Sequence, residues 1–197
     1  MMVFIRQELV MLSVPKTGTH SYIDHLQGNA DIVFKHPQNL KHMGVRKFTK
    51  KVLPLIANQE TKFEYFAFIR HPADWLWSWY SYRARPGIAN RPSSTANIDF
   101  STFIREYLTP NPPEFAKIGT QSTLVTSNEA PFVVDNLFKY GNQDEANRFL
   151  SSKIGVNVSP NKVLNKSPEI VKVIHPSDIQ LLEKERPREF ELYESAR

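Results

Sequence analysis

The stretch that decides the fold is residues 9–26, Leu-Val-Met-Leu-Ser-Val-Pro-Lys-Thr-Gly-Thr-His-Ser-Tyr-Ile-Asp-His-Leu. Its pattern predicts a buried strand over Leu9–Val14, a tight turn over Pro15–Gly18 and a helix that begins at Thr19. The first N–H groups of such a helix have no partner within the helix, and the helix dipole favours negative charge at that end. The stretch therefore predicts an anion-binding loop between a strand and a helix.

The loop carries the side chains and the backbone freedom that an anion site needs. Lys16 places an ammonium group inside the turn, Gly18 gives the backbone room to approach a ligand, and Ser21 supplies a hydroxyl. The candidate binding residues of the segment are Lys16, Thr17, Gly18, Thr19, His20 and Ser21. Taken alone, the segment also fits an ordinary turn between a strand and a helix.

A nucleoside triphosphate loop is another motif with a lysine at this point. Its pattern, G-x-x-x-x-G-K-[ST], requires glycines before the lysine. Lys16-Thr17 is present here, but Val10 and Pro15 occupy the two glycine positions. A kinase that uses ATP and magnesium is therefore an alternative function that these two positions disfavour.

Length and composition bound the class of protein. A chain of 197 residues predicts a single domain, residues 1–197, with a substantial core. The absence of cysteine excludes disulfides and thiolate metal sites, and it favours a cytoplasmic location. The sequence has no apolar run long enough to span a membrane, and its first residues lack the pattern of a signal peptide.

The charge pattern indicates the class of partner. A net charge of +5 suits a small polyanionic ligand. The basic residues form no stripe with interleaved aromatic residues, so we predict no nucleic-acid partner. The most basic stretch is Lys41–Lys51, which we interpret as the solvated face of a helix. The sequence does not indicate an oligomeric state.

Strands and helices alternate along the chain, which predicts an α/β fold with a three-layer, mainly parallel β-sheet flanked by helices. Besides Leu9–Val14, the predicted strands are Val3–Ile5 as a short edge strand, Asp31–Lys35 within the parallel sheet, Glu64–Arg70 and Phe132–Tyr140. The predicted helices are Thr19–Gln27, Val45–Asn58, Ala73–Arg83, Phe100–Leu108, Asp144–Ile154, Ser177–Arg186 and Arg188–Ser195, with short or partial helices over Gln38–Met43 and Glu114–Thr126.

A second motif follows the strand Glu64–Arg70. It reads Arg70-His71-Pro72-Ala73-Asp74-Trp75-Leu76-Trp77-Ser78-Trp79-Tyr80. An arginine at a strand end and a serine two turns into the next helix can meet one phosphate, the arginine through a bidentate fork and the serine through its hydroxyl. Alternatively, Arg70 is a surface ion-pair partner and Ser78 a small residue where helices pack closely.

The two motifs together resemble those of sulfotransferases that use PAPS (3′-phosphoadenosine 5′-phosphosulfate). The first resembles the family's Pro-Lys-x-Gly-Thr loop, and the second its Arg-x-Pro-x-x-x-x-x-Ser-x-Tyr pattern. Less specific similarities lie at Lys35-His36, Gln121-Ser122, Asn165-Lys166-Ser167 and Lys139-Tyr140-Gly141, the last without the family's acidic residue. The resemblance implies a P-loop-NTPase-like sulfotransferase fold, with PAPS as sulfuryl donor, PAP as product and no metal.

The resemblance also implies roles for individual residues. The loop around Lys16 would hold the 5′-phosphosulfate, and Arg70 with Ser78 would hold the 3′-phosphate. Lys16 would stabilise charge on the leaving phosphate. The acceptor would be a hydroxyl or amine of a small molecule or glycan. A non-catalytic module that binds PAPS or PAP is a further alternative.

A base is expected to take the proton of the acceptor. His36 is the candidate because a histidine titrates in the right range and this one follows a predicted strand end. A purely structural role for His36 stays open, and His42 is a second candidate. His20 would contact the donor phosphate or pair with Asp24, one helical turn away. We predict no metal site, since a third well-spaced ligand is missing.

Overall fold

The computed structural model covers residues 1–197 and describes 1–58, 60–127, 134–160 and 171–197. The predicted similarity at Asn165–Ser167 lies outside the described residues. The chain divides into two compact units. The first consists of Met1–Arg70, Gln121–Leu164 and Ser195–Arg197, and the second of His71–Thr120 and Asn165–Glu194. The predicted single domain stays a prediction, and each unit is described by itself.

The first unit is built on a five-stranded sheet in the order β3-β1-β2-β4-β5. The strands are β1 (Met2–Phe4), β2 (Leu9–Met11), β3 (Ile32–Val33), β4 (Glu64–Ile69) and β5 (Asn136–Lys139). β2, β4 and β5 pair in parallel, whereas β1 is antiparallel to both β2 and β3. The α/β class is thus confirmed, with a mixed sheet.

The antiparallel pairing of β1 has a simple cause. Only four residues, 5–8, separate β1 from β2. A parallel neighbour would need a crossover of a dozen or more residues, so this connection forces a hairpin. Two of the four strand pairings described are antiparallel, so the sheet is mixed, whereas we predicted a mainly parallel one.

Two predictions about strand positions were wrong. We expected Val3–Ile5 at an edge, but β1 lies inside the sheet, with β3 outside it. We expected Asp31–Lys35 to be buried in a parallel sheet, but β3 spans two partly exposed residues and pairs antiparallel. Because β1 already occupies the place beside β2, the later strand is left at the edge.

The helices follow the predicted order; most begin or end within one or two residues of the predicted bounds, and the partial helix over Glu114–Thr126 is confined to Ser122–Val125. They are α1 (Thr19–Leu26), α2 (Gln38–Lys41), α3 (Val45–Lys51), α4 (Leu53–Ile56), α5 (Pro72–Arg83), α6 (Phe100–Tyr107), α7 (Ser122–Val125), α8 (Gln143–Ile154), α9 (Pro176–Glu185) and α10 (Pro187–Ser195). A single helix over Val45–Asn58 was wrong, because the helix breaks at Val52. Pro54 explains the break, since its ring clashes with a preceding carbonyl and it has no N–H to donate.

Helices cover both faces of the sheet. On one face the side chains of α1 and α8 pack with an aromatic layer in which Phe66 lies 5.2 Å from Phe138 between ring centroids. On the other face the rings of Phe48 in α3 and Tyr65 in β4 pack edge to face, with 6.0 Å between their centroids. The two sets of side chains alternate along β4, as the two-residue period of a strand requires.

The second unit is helical where it is described. Its core joins α5, α6 and α9 through buried apolar residues that include Trp75, Phe103 and Leu182. α6 begins at a genuine cap, because the Asp99 carboxylate accepts a hydrogen bond of 2.7 Å from the backbone N–H of Thr102. Aspartate is among the residues most favoured at this position of a helix.

Candidate anion-binding site

The loop after β2 contains the turn that the sequence predicted over Pro15–Gly18, but the strand before it ends three residues earlier than the predicted Val14. β2 ends at Met11, and α1 begins at Thr19. Two residues between them are left-handed, Lys16 with φ 68° and Gly18 with φ 71°. A non-glycine residue in this region is uncommon, and such residues concentrate at ligand-binding sites. Turns of this kind direct backbone N–H groups into a concavity that suits an anion.

Short hydrogen bonds fix the loop from inside. Ser13 and Thr19 share a hydrogen bond of 2.7 Å between their hydroxyls, and the Thr17 hydroxyl donates to the Val14 carbonyl at 2.8 Å. Thr17 and Thr19 are buried, so their hydroxyls serve the fold of the loop. Their backbone N–H groups and the more exposed residues Lys16, Gly18, His20 and Ser21 are the parts of the loop that can face a ligand.

Several basic groups converge beside the loop. Lys41 is only 4% exposed, and its Nζ lies 2.5 Å from Nε2 of His20. His42 Nδ1 donates to the Ser13 carbonyl at 2.6 Å. Two cations cannot share so short a contact, so at least one of Lys41 and His20 is neutral without a ligand.

The pKa values of this cluster all move against positive charge. Burial lowers the pKa of His20, and the neighbouring cations Lys41 and Lys16 lower it further. Burial also lowers the pKa of Lys41. It lowers the pKa of His42 to about 4, against a partly opposing hydrogen bond to Ser13 and with an added contribution from Lys41. A bound anion would reverse these effects, so the cluster is suited to hold a phosphate or sulfate group.

Arg70 is held at the carboxyl end of β4 by a buried glutamine. The Arg70 N–H donates to Oε1 of Gln121 at 2.9 Å, and Gln121 Nε2 donates back to the Arg70 carbonyl at 2.7 Å. Gln121 is fully buried. The paired hydrogen bonds fix the backbone of Arg70, which leaves its guanidinium to other contacts.

Tyr140 connects Arg70 with the loop. The Arg70 guanidinium carbon lies 5.1 Å from the centre of the Tyr140 ring, a cation–π contact. The same ring lies against Gly18, where an added Cβ would come within 2.9 Å of Tyr140 Cε2. The loop, Arg70 and Tyr140 follow three adjacent parallel strands, and ligands collect beyond such strand ends in open α/β sheets.

Two predicted site residues are not brought into these contacts. His36 is exposed and lies between β3 and α2; among the described residues it makes no hydrogen bond, and His42 is the one that bonds to the Ser13 carbonyl. Ser78 is a partly exposed residue of α5, in the second unit. The roles predicted for His36 and Ser78 therefore stay predictions.

Three residues of the site were not predicted. Lys41 was assigned to a solvated helix face, which is wrong for this residue because it is buried against His20. Gln121 and Tyr140 appeared only within weaker similarities, without a role. Tyr140 ends the predicted strand Phe132–Tyr140, and that position was the available signal for it. Gln121 lies beside no predicted strand in the sequence and reaches Arg70 only through the fold.

The comparisons with known proteins add no family. No protein-family model, curated protein or solved structure matches the chain. Within the described ranges, no helix combines the length and apolar character needed to cross a membrane. In the same ranges, no three His, Asp or Glu side chains come together as possible metal ligands. The site is therefore interpreted from its own geometry.

His42 should make the stability of the protein depend on pH. Its pKa in the folded chain, about 4, lies below the ordinary value of 6.5. Between these values the unfolded chain binds a proton that the folded chain excludes, so stability falls as the pH drops from 6.5 to 4. We expect this group to lower the free energy of unfolding by about 1–2 kcal/mol between these pH values. This is less than the whole pKa shift would correspond to, because His42 is only partly buried and solvent screens its charge.

The measurement is urea unfolding at pH 7 and pH 4.5 for the wild type and for His42→Gln. The loss of stability in acid should be smaller in His42→Gln. Replacing the exposed His36 by glutamine is the matched control and should preserve the wild-type pH dependence. An unchanged pH dependence in His42→Gln would show that the histidine is not held neutral by its surroundings.

Proposed function

We propose that the chain is a PAPS-dependent sulfotransferase, which transfers a sulfuryl group to a hydroxyl or amine of a small-molecule or glycan acceptor. The observation that carries the proposal is the contact of Tyr140 with both Gly18 and Arg70. It connects two motifs that lie about fifty residues apart and that both resemble donor-binding motifs of this family. The finer P-loop-like sulfotransferase fold, and a cytoplasmic location for a chain without cysteine, are part of the same proposal.

The loop would bind the 5′ end of the donor. The N–H groups at the start of α1 suit the 5′-phosphate, because they lie at the positive end of the helix dipole. His20 and Lys41 lie in contact beside them, and a bound anion would favour the charged forms of both side chains. Lys16, within the left-handed turn, would contact the oxygen that bridges phosphate and sulfate.

The proposed reaction is an in-line displacement at sulfur. The bond between sulfur and the bridging oxygen breaks, a bond forms between sulfur and the acceptor oxygen or nitrogen, and PAP leaves with the negative charge. Lys16 would stabilise that charge as it develops, since such stabilisation is a large part of catalysis in related group transfers. The sulfuryl group carries less charge than a phosphoryl group, so the proposal does not require a metal.

Arg70 would hold the 3′-phosphate of the donor, and the role predicted for Ser78, a residue of the second unit, stays a prediction. The guanidinium can form two parallel hydrogen bonds to phosphate oxygens, and its backbone is already fixed by Gln121. We assign the base to His36. His42, with a pKa of about 4, accepts a proton poorly at neutral pH, and its Nδ1 is engaged by the Ser13 carbonyl.

The test is calorimetric titration of the protein with PAP and, separately, with ATP plus magnesium. We expect PAP to bind and ATP to bind more weakly, because ATP lacks a 3′-phosphate. Binding of ATP without binding of PAP would overturn the proposal and favour the kinase. Binding of PAP together with a complete lack of turnover on PAPS would favour a non-catalytic module. The Lys16 and Arg70 variants described in the Discussion separate these outcomes further.

A further inference from the structure

The positive charge of this chain is concentrated in one segment. Between Asp31 and Glu60 there is no acidic residue, whereas six basic residues occur there: Lys35, Lys41, Arg46, Lys47, Lys50 and Lys51. The six positive charges of this segment exceed the net charge of the whole chain, which is +5. The rest of the chain is close to neutral, and the segment creates a local positive potential.

Four of these cations line one groove. Arg46, Lys47, Lys50 and Lys51 are exposed on α3, and together with Gly44 and Thr123 they surround a groove of about 290 Å³. The floor of the groove is closely packed, because a Cβ on Gly44 would come within 2.9 Å of the Leu124 Cα. α3 and α7 thus form a fixed wall that presents four positive side chains.

The arrangement is unfavourable for the helix itself. Arg46 and Lys50, and likewise Lys47 and Lys51, are four residues apart, and like charges at this spacing destabilise a helix. In the part of the chain that the structure describes, none of the four makes an ion pair. Lys153 by contrast pairs with Glu64. A helix face that only contacts water does not require four like charges on two successive turns. These charges therefore point to an anionic ligand.

We propose that this groove binds a compact polyanion that carries several phosphate or sulfate groups. The groove is concave and lies near the lower end of the size range of small-molecule sites. Its described lining contains no aromatic side chain on which a nucleic-acid base could stack and no carboxylate that would repel an anion. The ligand is therefore recognised by its charge density, and the site uses none of the residues assigned to the donor.

The test measures the affinity for two probes, inositol hexakisphosphate and sucrose octasulfate, by calorimetry at physiological ionic strength. The variant Lys47→Ala/Lys51→Ala should weaken binding about tenfold or more, because two charge-assisted contacts are lost. It should fold at least as well as the wild type, since repulsion on α3 is relieved. Lys47→Arg/Lys51→Arg should retain affinity, and Lys117→Ala/Lys184→Ala removes two exposed lysines of the second unit as the matched control.

Three results would overturn the proposal. They are a lack of binding to both probes, equal weakening in the control variant, and binding to a DNA duplex that neither probe can displace. A stronger response to one probe assigns phosphate or sulfate as the preferred group. The proposal is independent of the sulfotransferase assignment, because Lys47→Ala/Lys51→Ala should leave PAP binding unchanged and Lys16→Met should leave binding of the two probes unchanged.

Discussion

Replacing Lys16 by methionine should lower turnover on PAPS by about 10²–10³-fold, the usual cost of removing a group that stabilises charge in a transition state. Affinity for PAP should change much less, within about tenfold, because the loop N–H groups and Arg70 remain. Methionine keeps the length of the side chain and removes the charge. The measurement is release of PAP from PAPS in the presence of a mixture of phenol, alcohol and sugar acceptors, together with calorimetry of PAP binding.

Two further variants separate the role of the ammonium group from that of the backbone. Lys16 has φ 68°, a conformation that glycine adopts without steric cost. Lys16→Gly should therefore fold as well as the wild type and should still lose turnover. Lys62→Met removes an exposed lysine that precedes β4, at the opposite end of that strand from Arg70, and should keep full turnover. Equal losses of turnover and PAP affinity in Lys16→Met would instead indicate a binding module.

Replacing Arg70 by alanine should weaken PAP binding by about 100-fold, because a bidentate contact between arginine and phosphate contributes about 2–3 kcal/mol. The backbone hydrogen bonds to Gln121 do not depend on the side chain, so the fold should persist. Arg70→Lys should recover only part of the affinity, since an ammonium group cannot form the planar fork. Calorimetric titration with PAP measures all three proteins.

The matched control is Arg6→Ala. Arg6 is exposed in the turn between β1 and β2, at the amino end of β2, whereas the loop follows its carboxyl end. Its loss should leave PAP affinity within about twofold, because exposed charges so far apart are largely screened by salt. PAP affinity that is retained in Arg70→Ala would remove Arg70 from the donor site and weaken the sulfotransferase proposal.

The local elements were predictable because their signals lie within a few residues. The helix start at Thr19 was confirmed, and the strand predicted over Glu64–Arg70 was observed over Glu64–Ile69. The predicted helix end at Ile154 was also confirmed, and Gly155 follows it in the left-handed region. The hydrophobic period, the capping residues and the helix-breaking residues act over one or two turns. They can therefore be read from a short stretch of sequence.

The arrangement of the sheet was harder to predict because it depends on which strands compete for the same neighbour. The hairpin of β1 with β2 leaves β3 at the edge of the sheet, and the residues of β3 do not indicate this position. The burial of Lys41 was hard to predict for the same reason, because it depends on a residue far away in the sequence. Its neighbours in sequence suggested a solvated helix, but contact with His20, twenty-one residues away, places it in the interior.

The sequence by itself determined the α/β class, the strand–loop–helix at Lys16 and the two motifs on which the proposed function rests. These follow from residue type and spacing, which short-range sterics and hydrogen bonding translate into structure. Only the tertiary structure decided that Tyr140 lies between Gly18 and Arg70, and that Lys41 and His42 converge on the loop. Such contacts join residues far apart in the chain, and packing of the whole sheet selects them.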